Sequence, residues 1–278
     1  MKHESPPNAR QIIMGLLVAE LDQALSARQV VAACGLFGIT ENSARVALAR
    51  LSSKGLIESA GRGSYRLGEA ATGLAGDVAT WREAEARVVK WSGHYIIVHC
   101  GPLGRSDRTA LRRRERAFDM LGLRELEKDL YVRPDNLTGG VNAVRQRLHD
   151  LGLDSDASVF IGSDFDAARE TRLHTLWDGQ SLNSLYRHQQ DTLERWLARA
   201  DELEMEDAAR ESFLLGNRAI RQIVFDPLLP APLVDVEARS AFIETVKRFD
   251  RAGYAIWQRL YRLQEGREVS APVSALAH

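Results

Sequence analysis

Polar side chains recur along one side of a short segment near the N-terminus, and their types match the chemistry of DNA bases. Asn42, Arg45 and Arg50 are separated by small or apolar residues. Arginine can bind guanine through two hydrogen bonds, asparagine can bind adenine in the same way, and small neighbours permit close approach. The types and spacing therefore predict a helix that reads bases in the major groove.

Two predicted helices would position these side chains. Ser26 and Gln29 have the spacing of a capping box, which predicts a helix over residues 28–34. A turn over residues 35–39 and a cap at Thr40 then predict a second helix over residues 41–54. Its apolar residues recur at i, i+3, i+4 and i+7, so one face should be buried and the polar face exposed; the buried face comprises Ala44, Ala47, Leu48 and Leu51.

A glycine-tipped hairpin follows, with strands over residues 56–59 and 64–67 and Arg62 at its tip. Together these elements predict a winged helix-turn-helix. Between Arg28 and Arg66 there are six Lys/Arg against two acids, although the whole chain has a net charge of −1. This local excess favours DNA binding over the alternative, a capped helix and hairpin that never touch DNA. The residues predicted to contact DNA are Thr40, Asn42, Ser43, Arg45, Arg50 and Arg62.

The length and composition predict a soluble protein of more than one domain. The chain has 278 residues, of which 45% are apolar and 27% charged. Two cysteines, Cys34 and Cys100, predict buried reduced thiols and a cytoplasmic location. No apolar run approaches the roughly 20 residues of a membrane span, and residues 1–10 lack the apolar core of a signal peptide. We therefore expect no membrane association.

The middle of the chain has the pattern of a small α+β domain. Strands are predicted over residues 94–100, 126–132 and 157–162, with helices over 107–121, capped by Ser106, and over 141–151. This β-α-β-α-β order predicts a ferredoxin-like sandwich. From Ser181 onward the apolar periodicity is helical. The predicted domains are 1–80 (winged helix), 88–175 (ferredoxin-like) and 180–265 (helical), followed by a tail over 266–278, within an α+β multidomain fold.

Motifs from all three segments resemble the phenylacetate-degradation repressor (PaaX) family. The similarity extends from about Gln11 to Tyr261 and rests on residues 39–51, 91–93, 111–114, 130–136 and 226–230. It implies a bacterial transcriptional repressor, a homodimer on double-stranded operator DNA. It also implies a middle domain resembling CRISPR-associated ferredoxin-like nucleases. Family members are released from DNA by an aryl-acyl coenzyme A thioester such as phenylacetyl-CoA, so the expected effector is a small-molecule CoA ester of an aromatic catabolic pathway.

An arginine-rich segment could bind such an effector. Guanidinium groups bind phosphates with two hydrogen bonds, and coenzyme A carries several phosphate charges. The cluster comprises Arg105, Arg108, Arg112, Arg113, Arg114 and Arg116, of which Arg108, Arg112, Arg113 and Arg116 are the predicted ligand contacts. A solvated helix face and additional contact with the DNA backbone remain alternatives. Five aromatic residues could line an aryl pocket or belong to a core: Trp177, Tyr186, Trp196, Trp257 and Tyr261.

The alternative function is a metal-dependent nuclease in the middle domain. Its first predicted strand ends at Cys100 with no carboxylate before Asp107, and Asp164 and Asp166 have no matching partner. The histidines show no metal-ligand spacing, and no nucleotide-binding or nucleophile motif is present. We therefore predict no enzymatic activity, no catalytic or metal-binding residues and no cofactor.

Overall fold

The computed structural model has a mixed α/β fold with two antiparallel sheets. It describes residues 6–20, 23–71, 80–101, 103–104 and 106–269, with side chains up to residue 263. The helices are α1 Ala9–Ala19, α2 Ala27–Gly35, α3 Glu41–Ser53, α4 Arg108–Met120, α5 Gly140–Asp150, α6 Ala167–Thr175, α7 Gly179–Arg199, α8 Met205–Val224 and α9 Val236–Val269. The strands are β1 Leu25–Ser26, β2 Ile57–Ser59, β3 Ser64–Leu67, β4 Tyr95–His99, β5 Arg124–Glu127, β6 Leu130–Pro134 and β7 Ser158–Gly162.

The chain divides into two compact units. Unit 1 contains residues 1–80, 193–220 and 246–278, and unit 2 contains residues 81–192 and 221–245. This division differs from the three successive domains expected from the sequence, whose boundaries stay a prediction. The last helix, α9, runs to Val269 and so passes the start of the predicted tail at residue 266.

Helices α1 to α3 and the first sheet form the N-terminal part of unit 1. The helix starts are fixed by side chains: Asn8 and Gln11 form a capping box at α1, and Ser26 and Gln29 form the predicted one at α2. The apolar periodicity near the N-terminus predicts a helix over about residues 9–22. α1 ends at Ala19, and Leu21 and Asp22 lie outside the described residues. The sheet has the order β1-β3-β2.

The core of unit 1 joins these helices to the C-terminal part of the chain. Ile12 and Leu16 of α1 belong to the same buried cluster as Leu48 of α3 and Trp257 of α9. Phe37, after α2, lies edge-on to Phe213 of α8 with 5.3 Å between ring centroids. The C-terminal helices therefore contribute part of the apolar support on which α3 rests.

Unit 2 is built on a four-stranded antiparallel sheet with the order β5-β6-β4-β7. The predicted single strand over residues 126–132 is wrong: β5 and β6 form a hairpin, which turns where Asp129 has a φ of 61°. The polar pair Lys128-Asp129 interrupts the apolar pattern, and this signal was missed. Asp107, rather than Ser106, caps α4, because its carboxylate accepts the N–H groups of Thr109 and Ala110.

Both faces of β4 are covered. Ile96 and Val98 of β4 point into one apolar cluster with Phe118 of α4, whereas Tyr95 and Ile97 point into another with residues of α6. Successive side chains of a strand point to opposite faces of the sheet. A strand that is buried on both faces therefore needs an uninterrupted run of apolar residues. This burial explains why β4 was recognisable in the sequence.

The predicted aryl-pocket residues are core residues. Trp177 lies in an apolar cluster of unit 2, where its indole N–H donates to the Gly122 carbonyl at 2.9 Å. Trp257 and Tyr261 belong to the core of unit 1, with 5.7 Å between their ring centroids. Tyr186 and Trp196 pack on Phe242 and Phe249, respectively. None of the helices in the described ranges is long and apolar enough to cross a membrane.

Candidate nucleic-acid interface

The cap and the apolar stripe of α3 orient its polar face toward solvent. The Thr40 hydroxyl accepts the N–H of Ser43 at 3.3 Å and thereby fixes the start of the helix. Ala44, Leu48 and Leu51 are buried, and Ala47 is half-buried. The opposite face is exposed and comprises Asn42, Arg45, Val46, Ala49, Arg50 and Ser53. The predicted division of α3 into a buried and an exposed face is confirmed.

A concavity of about 540 Å³ lies between the first residues of α1 and one edge of α3. Of the six predicted DNA-contact residues, Asn42, Ser43 and Arg50 line it. Asn42, Val46, Arg50 and Lys54 follow one another at i+4 spacing, so they form a single ridge along this edge. The fold thus places three of the six predicted residues side by side.

Arg45 lies outside this concavity and has an acidic partner one turn away. Its guanidinium is 2.7 Å from the carboxylate of Glu41, and both side chains are more than 60% exposed, at 62% and 63%. An exposed i,i+4 pair of this kind contributes only about 0.3–0.5 kcal/mol to stability. Arg45 can therefore exchange Glu41 for a base or a phosphate at little cost.

Thr40 stabilises the start of α3 at this surface. In addition to capping α3, its hydroxyl donates to the Ser43 hydroxyl at 2.9 Å. Both residues are exposed, so the same two hydroxyls also face solvent at the helix N-terminus.

The hairpin places Arg62 at its tip as predicted. Ala60 donates to the Ser64 carbonyl at 2.9 Å and closes the turn. Gly61 and Gly63 have φ values of 132° and 69°, which favour glycine at both positions. Arg62 between them is exposed. Arg66 is 2.7 Å from Glu58 on the neighbouring strand and forms an exposed ion pair with it, as Arg45 does with Glu41.

Two cations beside α3 were not selected from the sequence. Arg10, in the first turn of α1, and Lys54, directly after α3, both line the concavity with Arg50. Lys54 contributes to the excess of basic residues between Arg28 and Arg66, but it is not among the predicted DNA contacts. Arg10 gave no signal, because only the packing of α1 against α3 brings it to this surface.

The arginine-rich segment occupies α4 of unit 2. Arg108, Arg112, Arg113 and Arg116 are exposed. Arg108, Arg112 and Arg116 share one side of the helix at i+4 spacing, whereas Arg113 lies against Gly152, after α5. Arg114 is half-buried and interacts with Cys100. Burial raises the pKa of the Cys100 thiol to about 11, and the charge and the hydrogen bond of Arg114 oppose that rise. Arg105 lies outside the described residues.

The carboxylates considered for metal binding have local partners. Asp107 caps α4, and Asp166 caps α6 by accepting the N–H of Arg169 at 2.9 Å, a bond that also lowers the pKa of Asp166. Asp164 accepts the Ser163 hydroxyl at 2.8 Å. Within the described ranges, no three His, Cys, Asp or Glu side chains are grouped so as to hold a metal ion.

Comparisons with known proteins concern the fold and the C-terminal part of the chain. The chain is similar in structure to an uncharacterized protein, Rv0674 from Mycobacterium tuberculosis, with a TM-score of 0.60 and 19% sequence identity. The similarity covers 90% of this chain and 98% of that protein. That similarity concerns the fold alone. No curated protein matches the sequence. The family model for the PaaX-like protein C-terminal domain matches residues 177–259. The C-terminal part of the chain is therefore PaaX-like.

Proposed function

We propose that this protein is a sequence-specific DNA-binding repressor of an aromatic-compound catabolic operon and that an aryl-acyl-CoA thioester releases it from DNA. The observation that carries the proposal is the exposed polar face of α3, fixed by a buried stripe behind it and bordered by a concavity lined with cations. A face of this composition suits the edges of bases and the phosphates beside them.

The N-terminal part of unit 1 is assigned as a winged helix-turn-helix. Its element order is α1-β1-α2-α3-β2-β3, and β1 completes a small sheet with the hairpin. In this assignment α3 is the recognition helix and the β2–β3 hairpin is the wing. Asn42 and Arg45 supply hydrogen bonds to base edges, and Val46, 41% exposed, supplies an apolar contact for a thymine methyl group. Arg62 enters the minor groove or touches phosphate.

The sheet of unit 2 is assigned as ferredoxin-like. Its elements follow the order β-α-β-β-α-β, and the antiparallel strands are arranged β5-β6-β4-β7. Asp107, Asp164 and Asp166 each accept a hydrogen bond from a nearby residue. These bonds favour a structural role for the three carboxylates over metal binding. We therefore assign this domain to regulation and not to nuclease chemistry.

The effector is assigned to the arginine face of α4. Arg108, Arg112 and Arg116 project from one side of the helix, with Arg113 beside them, and present charges that suit the phosphates of coenzyme A. Release from DNA requires that the thioester bind the DNA-free conformation more tightly than the DNA-bound one, since only a difference in affinity shifts the equilibrium.

The protein acts as a homodimer in the cytoplasm in this proposal. Two copies related by a twofold axis would read two half-sites about one helical turn apart, so the operator should be an inverted repeat. Burial raises the pKa of both Cys34 and Cys100 to about 11, which keeps them as protonated thiols and suits a reducing compartment.

The proposal is tested by selecting duplexes from a random-sequence library with the purified chain and measuring their binding by fluorescence anisotropy. We expect an enriched inverted repeat that binds at least about a thousandfold more tightly than random DNA. Phenylacetyl-CoA and related aryl-acyl-CoA esters should dissociate the complex, whereas the free aryl acid should not. Absence of any enriched sequence would contradict the proposal. Magnesium- or manganese-dependent DNA cleavage that is lost in Asp164→Ala would replace it with the nuclease function.

A further inference from the structure

The concavity beside α3 contains positive charge from two separate parts of the chain. Arg10 comes from the first turn of α1, whereas Arg50 and Lys54 come from the last turn of α3 and the residue after it. All three side chains are exposed. Helix α1 therefore forms one wall of the concavity and the recognition helix forms the other.

The polar part of the lining suits an anion, and the remainder is apolar, comprising Ala9, Val46, Ala47 and Leu51. Besides the three cations it contains the Ser43 hydroxyl and the side-chain amides of Asn8 and Asn42, and no acidic side chain is among the described residues that line it. Its polar members are exposed, so an extended chain can pass through without closure around it. These features suit successive phosphodiesters of a nucleic acid backbone, which carry one charge each.

The position of the concavity on α3 decides which part of DNA it faces. Its ridge, from Asn42 to Lys54, borders the most exposed face of the helix, and Arg45 lies on the other side of that face. A helix inserted into a major groove about 12 Å wide has a sugar–phosphate backbone along each flank. The flank of α3 that faces α1 would therefore meet one of these two backbones.

We propose that Arg10 and Lys54, with Arg50, bind backbone phosphates of one DNA strand in this concavity and thereby fix the depth and register of α3 in the groove. The inference rests on the proposed DNA-binding function and adds two contact residues outside the recognition face. Contacts of this kind position the protein but carry no base information, so they act equally on specific and non-specific DNA.

The test compares Arg10→Gln and Lys54→Gln with the charge-conserving variant Arg10→Lys. Binding to a selected specific duplex and to a random duplex is measured between 50 and 300 mM salt. Each loss of charge should reduce the slope of log K against log salt concentration by about 0.9 and weaken binding to both duplexes by about 5- to 10-fold at 0.1 M salt. Arg10→Lys should retain most of the affinity and the slope. Circular dichroism and thermal melting check that all variants fold.

A second arm locates the phosphate. Methylphosphonates, which remove one backbone charge at a time, are scanned along one strand of the specific duplex. At the position that Arg10 contacts, neutral DNA should bind wild type and Arg10→Gln with equal affinity. If wild type binds the specific duplex and both Gln variants bind it with the same affinity and the same salt slope, this inference is wrong and the proposed function still holds. A loss confined to one base pair would also overturn it, and failure of wild type to bind any duplex would overturn both.

Discussion

The side-chain amide of Asn136 donates a hydrogen bond of 2.7 Å to the backbone carbonyl of Leu228, 92 positions later in the chain. Both residues are buried within unit 2. Asn136 ends the segment 130–136, and Leu228 is the centre of the segment 226–230, two of the motifs that carry the resemblance to PaaX proteins. The bond joins these two distant segments, since each supplies half of one polar contact.

The guanidinium of Arg133 extends this contact. It donates to the carbonyl of Leu121 at 2.5 Å and to the side-chain oxygen of Asn136 at 3.1 Å. Arg133 is only 1% exposed, and burial lowers its pKa to about 10. A buried guanidinium is tolerated only where its N–H groups have acceptors, so Asn136 serves both the arginine and the loop at Leu228.

We predict that Asn136→Ala lowers the free energy of unfolding by about 2–4 kcal/mol, because it leaves a buried carbonyl without its donor and removes one acceptor of a buried guanidinium. Urea denaturation followed by circular dichroism measures the loss. The control is Asn142→Ala, whose exposed side chain accepts a hydrogen bond from Arg145 at 2.7 Å. That change should cost less than about 0.5 kcal/mol. Equal effects of the two substitutions would contradict the assigned importance of the buried contact.

Asn42→Ala and Arg45→Ala test the recognition face. Neither residue belongs to the buried stripe, so the melting temperature should be nearly unchanged. Each substitution that removes a hydrogen bond to a base should weaken operator binding by about 1–3 kcal/mol. The variant should also distinguish less well between the four bases at that position of the operator. Binding to random DNA should change much less. If both variants bind operator and random DNA like wild type, α3 is not the recognition helix.

Arg62→Ala tests the hairpin tip. The side chain lies between two glycines and acts mainly through its charge, so its removal should weaken specific and random DNA binding alike. The slope of log K against log salt concentration should fall by about 1. Arg62→Lys keeps the charge at the hairpin tip and is the matched control, so it should retain most of the affinity and the slope. A loss limited to one operator base would show that Arg62 instead reads sequence.

The arginine face of α4 is tested through the effector response. Arg112→Ala combined with Arg116→Ala should abolish dissociation of the operator complex by an aryl-acyl-CoA ester and abolish the rise in melting temperature that the ester causes. Operator affinity without the ester should remain unchanged. Lys128→Ala removes an exposed cation elsewhere in unit 2 and should leave the response intact. Loss of DNA binding in the double variant would favour a DNA-backbone contact by these arginines.

The buried acid Glu20 predicts a pH dependence of stability. Burial raises its pKa above 4.5, although the side-chain amide of Gln258 donates to its carboxylate at 2.7 Å. The folded state then binds the proton more tightly than the unfolded state does, so this contribution to stability is present at low pH and is lost as the pH rises through the folded pKa. Glu20→Gln removes the buried charge and should be at least as stable as wild type at pH 7.

Denaturation curves between pH 4 and pH 8 measure this difference. The advantage of Glu20→Gln should shrink as the pH falls toward 4.5, the ordinary value for the glutamate side chain. Gln258→Ala should be destabilising at every pH in this range, because it removes one of the hydrogen bonds to the acid and leaves the acid buried. A stability difference between Glu20→Gln and wild type that does not vary with pH would contradict the assigned titration.

Local features of the fold followed directly from the sequence. The Ser26–Gln29 box, the Thr40 cap and the apolar stripe of α3 depend on residues three or four positions apart, so short-range geometry determines them. The turn around Arg62 was evident for the same reason. Predictions were wrong where two local signals competed, as at Asp107 against Ser106, or where a short turn lay within a strand-like run, as at Asp129.

What the sequence by itself determined is therefore which residues of α3 face outward and which elements surround it. Only the tertiary structure decided that Arg10 joins Arg50 and Lys54 in one concavity, that Arg133 is buried, and that Asn136 holds Leu228. These relationships join residues tens of positions apart, and nothing in their own neighbourhoods specifies the partner. Their geometry arises when helices and strands pack to bury apolar surface, because packing then selects which distant polar groups must satisfy one another.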